Sequence, residues 1–274
     1  MKCSTLVALL VAGVGFASIS GAGPVYTWNG GVDTSWETAG NWDGSGVPVD
    51  QNAERGGLNG DMLIVFAADG PTSDLAELNG DNRDTITNAT PFVQVNSGVT
   101  AQIKIRDGWW MRPFEANSTN EVLNVGAGAT LSIDSVGNFY GNRGNKGEVA
   151  TATIAGGVSV DNYMQLGNNF LMTIEGTGSL TTDGFLTTKF LNSIVSMEDG
   201  AAITFGTSKG DLLTVAQTEG YFGSTFFDLS GKGLKAVDNL DNTITITTIP
   251  EPATMGLVAA ATAGILFIRR RFMI

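Results

Sequence analysis

Surface chemistry draws on nucleophiles, bases, metal ligands or fixed charges, and this chain is short of the first three. Its 274 residues include no histidine and one cysteine, Cys3. Without imidazole it cannot build a Ser-His-Asp triad, a histidine-based zinc site or a base that titrates near neutral pH. Carboxylates, lysine, arginine, tyrosine and hydroxyls remain. Two facing carboxylates could hydrolyse a glycosidic bond, and three close pairs exist: Asp81 with Asp84, Glu198 with Asp199, and Asp238 with Asp241. Each sits beside Asn or Gly, the setting of an ordinary polar turn, so none reads as catalytic and no catalytic residue is assigned.

A basic residue with bound calcium could instead serve a polysaccharide lyase. Arg106, Asp107, Arg112 and Arg143 lie near the doubled Trp109-Trp110 in RDGWWMR, where a cation beside aromatic faces could line a glycan groove. Adjacent strand residues face opposite sides, so one of the two tryptophans would be core and the other a candidate glycan contact. Asp and Asn recur in NGDNRD (79–84) and VDNLDN (237–242), but neither has the spacing of an EF-hand or of a glycine-rich calcium repeat. Gly126-Ala127-Gly128 lies in a strand turn, not before a helix, so no nucleotide fingerprint is present. The expectation is no cofactor, no metal and no enzyme.

Both ends of the chain carry targeting character. Lys2 precedes an apolar run from Leu6 to Phe16, then small residues, which predicts a secretory signal peptide over 1–22 cut after Ala22, or after Ser20. Cys3 would leave with it, so the exported chain would hold no thiol and no disulfide. The formal net charge is −12; setting aside Lys2, Glu251 and Arg269 to Arg271 leaves 26 acids against 11 bases, near −15. Such a surface repels nucleic acid.

What must position any site is all-β text. Glycine takes 37 of 274 positions, nearly twice its usual share of about 7%, and no long helical pattern appears between 24 and 249. Short runs of Val, Ile, Thr and Phe alternate with Gly, Asn, Asp and Ser. Five of these are alike: FVQVNSGVTAQIKI from Phe92, VLNVGAGATLSIDS from Val122, ATIAGGVSVDNYMQLG from Ala152, MTIEGTGSLTTDG from Met172 and IVSMEDGAAITFG from Ile194. Aligned at Gly98, Gly128, Gly157, Gly178 and Gly200, they are 30, 29, 21 and 22 residues apart, with a weaker sixth copy, FFDLSGKGLKAV, from Phe226. Stacked coils of two or three strands predict a right-handed parallel β-solenoid, with glycine at corners that need positive φ. A β-sandwich with hairpins at NSG, GAG and GTG is the alternative.

Ahead of the repeats, Tyr26 to Asp50 holds Trp28, Trp36 and Trp42, followed by an apolar run, Met62 to Phe66, that predicts a buried strand. The three indoles could stack on sugar rings, or they could close the open end of the first coil as a cap. The pattern W-N-G-G, W-x-T-A-x-N-W and G-V-P, at Trp28 to Gly31, Trp36 to Trp42 and Gly46 to Pro48, resembles the opening of exported bacterial proteins with autotransporter-associated β-strand repeats. That resemblance implies a structural or adhesive β-solenoid. No outer-membrane barrel follows in the sequence, so the autotransporter mechanism does not carry over.

The tail reads IPEPATMGLVAAATAGILFIRRRFMI. Ala253 to Ile268 as a helix would span about 24 Å at ~1.5 Å per residue, short of a ~30 Å hydrocarbon core yet able to cross with arginine snorkelling. Arg269, Arg270 and Arg271 would stay cytoplasmic and leave everything upstream outside. Pro250-Glu251-Pro252, the apolar stretch and the arginines, in this order, resemble the PEP-CTERM sorting signal of Gram-negative bacteria, here with an extra Phe272-Met273-Ile274. The resemblance implies recognition and cutting near Pro250 to Pro252 by an exosortase, and a setting of exopolysaccharide production.

The expected organisation is a signal peptide (1–22), a Trp-rich cap with the first strands (23–91), β-strand repeats continuous with it (92–249) and a sorting signal (250–274) with a transmembrane helix over 253–268. The expected role is that of an exported, non-enzymatic surface or extracellular-matrix component, structural or adhesive, linked to exopolysaccharide or biofilm. Its partners would be signal peptidase, exosortase, exopolysaccharide and, before processing, the membrane through the tail. A glycan-binding module is the alternative, and a polysaccharide lyase or hydrolase a further one.

Overall fold

A computed structural model describes residues 24–44, 46–48, 62–78, 92–105, 109–110, 121–135, 139–140, 149–165, 170–186, 194–222, 227–228 and 233–249. The expected signal peptide over 1–22 and the tail, including the expected helix over 253–268, lie outside them. The protein is all-β, with its strands in two largely parallel sheets.

The strands β1 (Val25–Trp28) and β2 (Trp42–Gly44) bracket the tryptophan segment, and β3 (Leu63–Phe66) and β4 (Glu77–Leu78) follow. The repeats supply β5 (Phe92–Val95), β6 (Thr100–Ile105), β7 (Trp109–Trp110), β8 (Glu121–Val125), β9 (Thr130–Ser135) and β10 (Phe139–Tyr140). Next come β11 (Ala150–Ile154), β12 (Gly157–Gln165), β13 (Phe170–Ile174), β14 (Ser179–Leu186), β15 (Ile194–Met197) and β16 (Ala202–Gly210). A short helix, α1 (Val215–Phe222), precedes β17 (Phe227–Asp228), β18 (Gly233–Asp238) and β19 (Thr243–Ile249).

Each of the five repeats contributes one strand to each sheet. The first sheet runs β17-β15-β13-β11-β8-β5-β3-β1-β2; the second runs β18-β19-β16-β14-β12-β9-β6-β4. Within each of these five repeats the two strands flanking the turn do not pair with each other. β5 pairs with β3 and β8 while β6 pairs with β4 and β9, all in parallel. The turns at NSG, GAG and GTG therefore carry the chain from one sheet to the other, and the hairpins weighed for these places do not form. Inward positions line up rung upon rung: Trp28, Phe66, Val95, Val125, Ile154, Ile174 and Met197 form one buried row, and Ala101, Leu131, Val158, Leu180 and Ile203 another. Apolar–polar alternation is what assigns these rows to a single shared core, because every second side chain of a strand faces the same way. The outward row Ser132, Ser159, Thr181, Thr204 and Thr245 is polar, and the Thr204 and Thr245 hydroxyls lie 2.9 Å apart.

Register corrects the spacing read from glycines. Thr100, Thr130, Gly157, Ser179 and Ala202 share one row, so successive rungs are 30, 27, 22 and 23 residues apart. Gly98, Gly128 and Gly200 do take positive φ, at 74°, 69° and 91°. Gly178 has a different reason to be glycine: a Cβ there would sit 2.1 Å from the carbonyl oxygen of Ile154 on the rung below. The sixth copy is only half a repeat. Its first part, β17, continues the parallel ladder beside β15, but β18 turns back to pair antiparallel with β19, which itself lies antiparallel against β16.

The helix α1 had no counterpart in the sequence reading. Thr214 caps it, accepting from the Gln217 backbone N–H at 3.2 Å, and the Gln217 side chain reaches back to the Leu213 N–H at 3.0 Å, a variant of the capping box. Tyr221 packs against Phe185, and burial pushes its phenol up to about 12, with the Asp211 charge adding to the shift. Among the described residues no helix is long and apolar enough to cross a membrane.

The Gly178 contact makes a test. Gly178→Ala should destabilise the fold by at least about 2 kcal/mol in denaturant unfolding, since backbone must move to admit the methyl group; Gly98→Ala, where nothing lies within 4 Å, should cost less through φ alone.

Candidate functional site

Three places carried functional expectations: the tryptophan segment, the doubled tryptophan and the tail. In the first, the indoles are inside. Trp28, Trp36 and Trp42 are 0%, 1% and 5% exposed, so none presents a face on which a sugar could stack. Trp42 meets Trp28 and Trp36 edge-on, with ring centroids 5.2 and 4.8 Å apart, and Trp36 also meets Phe66. Trp28 Nε1 donates to the Asp69 carbonyl at 3.0 Å and Trp42 Nε1 to the Trp36 carbonyl at 2.8 Å, while Trp36 Nε1 has no partner among the described residues.

Asn41 explains how the loop between β1 and β2 is held over these rings. Its side chain is fully buried and uses its full capacity of two donated and two accepted bonds. Oδ1 accepts from the backbone N–H groups of Val32 and Asp33 at 2.8 and 3.1 Å; Nδ2 donates to Asp33 Oδ1 at 2.6 Å and the Ser35 carbonyl at 3.0 Å. The Asp33 carboxylate also accepts from the Ser35 N–H and the Thr38 hydroxyl, both at 2.9 Å. These bonds favour its ionised form and hold its carboxyl below the usual range, the Ser35 amide contributing most and Asn41 next. Sequence reasoning saw the tryptophans and passed over Asp33 and Asn41, although the Asn beside Trp42 was already in the quoted motif.

The doubled tryptophan lies on β7, which pairs in parallel with β10, which in turn pairs with the end of β12. Trp109 shares a row with Phe139 and Met164; Trp110 shares one with Tyr140 and Gln165. Met164 is fully buried. Arg106, Asp107, Arg112 and Arg143 lie outside the described residues, as do Asp81, Asp84 and the NGDNRD turn. The other acidic pairs are in turns. Glu198 Oε2 accepts from the Gly176 N–H at 3.1 Å; Asp238 Oδ1 accepts from the Leu240 N–H at 2.8 Å, and Asp241 Oδ1 from the Thr243 N–H at 3.1 Å. These carboxylates fasten backbone. Among the described residues no cluster of three acidic side chains could hold a metal ion.

The third place is the junction with the tail. β19 is paired to its last residue, Ile249, opposite Gly233, and Pro250 comes next. Thr248 is 5% exposed and its hydroxyl donates to the Glu198 carbonyl at 3.2 Å. Pro250, Glu251, Pro252 and Arg269 to Arg271 lie outside the described residues.

Comparison with known proteins bears on this junction. The sequence pattern of the PEP-CTERM protein-sorting motif matches residues 248–271. No curated protein and no solved structure matches the chain. The motif marks an exported protein of the surface or extracellular space that an exosortase sorts.

The buried amide gives a test. Asn41→Leu should cost about 1–3 kcal/mol, because it removes the acceptor of the Val32 and Asp33 N–H groups and the donor to the Ser35 carbonyl, measured by thermal and denaturant unfolding. Since the folded carboxyl of Asp33 is depressed, its contribution is present above the ordinary aspartate range and lost as pH falls through the folded value; that acid-dependent loss should shrink in Asn41→Leu.

Proposed function

Taking the exosortase sorting signal as given, we propose that the chain is a non-enzymatic structural component of the cell surface or extracellular matrix, built as a right-handed β-solenoid with a tryptophan-rich cap. The observation that carries this reading is the parallel ladder that runs through all five repeats, its core rows aligned apart from local bulges. Rungs stacked over two sheets give a stiff body that needs neither disulfides nor metal. An absence of histidine and of an exported thiol, together with acidic side chains that serve turns, supports architecture over catalysis. The strongly acidic surface suits a protein that must stay soluble among polymers outside the cell.

In this reading the leader over 1–22 is removed by signal peptidase, the stretch over 253–268 holds the precursor in the membrane with Arg269 to Arg271 inside, and the exosortase acts at Pro250 to Pro252. Mass spectrometry of the native surface protein should find an N-terminus near Gly23 and a C-terminus near Pro250 to Pro252. Surface material that keeps Arg271 would refute the processing step.

A second reading, a glycan-binding strip, is favoured by the register around β7. Trp110 and Tyr140 stand in one row on neighbouring strands, spaced about 4.8 Å as in any ladder, and aromatic residues so arranged suit the apolar faces of successive sugars. Binding to the producer's own exopolysaccharide should then weaken at least about tenfold in Trp110→Ala. Unchanged affinity would leave the structural reading alone.

A further inference from the structure

The last strand and the sorting motif share residues. The motif match opens at Thr248, and β19 runs to Ile249. Pairing differs along this strand. Ile244 to Thr247 are held on both sides, by β16 and by β18, whereas Thr248 and Ile249 pair with Leu234 and Gly233 of β18 alone, Thr248 adding only its hydroxyl bond to the Glu198 carbonyl. β18 is the last strand of its sheet, and Ile249 is 45% exposed.

An enzyme that cuts a peptide bond holds the residues on either side of it in an extended form, pairing with their backbone groups as an added strand does. Backbone groups already committed to β18 cannot be offered to that enzyme at the same time. No spacer separates Ile249 from Pro250 to relieve the conflict. We propose that docking of Thr248 and Ile249 on β18 and engagement of the sorting motif by its processing enzyme are mutually exclusive, so that this two-residue strand end must peel away before the chain is cut. Peeling stops at Thr247, where pairing becomes two-sided, so the rest of the fold stays closed while the motif is read. The inference rests on the reading that the motif is processed.

The geometry supplies its own lock. A Cβ built on Gly233 lies 3.6 Å from the Ile249 Cβ, within the roughly 3.5–4.5 Å of a disulfide. The chain's own cysteine, Cys3, lies in the leader, so a Gly233→Cys, Ile249→Cys pair would meet no competing thiol in the exported protein. In producing cells the oxidised pair should slow the appearance of the processed C-terminus at least about tenfold relative to either single variant, with dithiothreitol restoring the rate. Four Gly-Ser residues inserted between Ile249 and Pro250 should restore it without reduction. Processing of the locked chain at the single-variant rate, with the disulfide verified by mass, overturns the proposal. A full-length chain with Pro250 and Pro252 changed to Ala separates the two ideas: if it too is processed normally, the sorting reading fails, whereas motif-dependent processing that ignores the lock defeats the coupling alone.

Discussion

A parallel ladder of repeats has no natural end, and closing it is the constraint on which the rest of this structure depends. Each rung buries its aliphatic row against the rungs above and below, so the first and last would present both core and unpaired backbone to water. At the amino-terminal end β2 turns back antiparallel on β1, and the loop between them is tied down over Trp28, Trp36 and Trp42 by Asn41 and Asp33. At the other end the β18–β19 hairpin lies antiparallel against β16. Both closures use the one kind of strand pairing that the repeats avoid.

This division of labour bears on function. The interior is spent on stacking, and in the described turns the carboxylates of Glu198, Asp238 and Asp241 accept from backbone N–H groups. Glu198 illustrates it: its side chain holds the Gly176 amide, while its backbone carbonyl accepts from Thr248 in the final strand. One turn thus fastens both the neighbouring rung and the closing hairpin.

Much of this was legible in the sequence. Alternation within FVQV and TAQIKI predicted strands whose inward residues proved buried, and the likeness among five segments predicted their stacking. The sorting motif was legible from its three parts in order. Other features were not. Counting from glycines misplaced two rungs, because Gly157 stands at the start of a strand and Gly178 answers to a close approach of backbone, not to a positive φ. The sixth segment looked like its predecessors, yet nothing local distinguishes a strand that continues a parallel ladder from one that closes it. The Asp33–Asn41 network was hidden because its logic lies in burial over three rings, and single residues do not announce that.

The unequal rungs have a consequence of their own. Register holds over the first four residues of each second-sheet strand across steps of 30, 27, 22 and 23 residues, and the turn that passes the chain from the first sheet to the second stays short throughout. The difference in length is taken up after the second-sheet strand, between Ile105 and Glu121, Ser135 and Ala150, Gln165 and Phe170, and Leu186 and Ile194. Insertions and deletions can therefore collect in those four intervals, outside the short paired strands β7 and β10 that two of them carry, without disturbing the two long core rows. A lineage of such proteins could diversify what it displays there while inheriting the same scaffold unchanged.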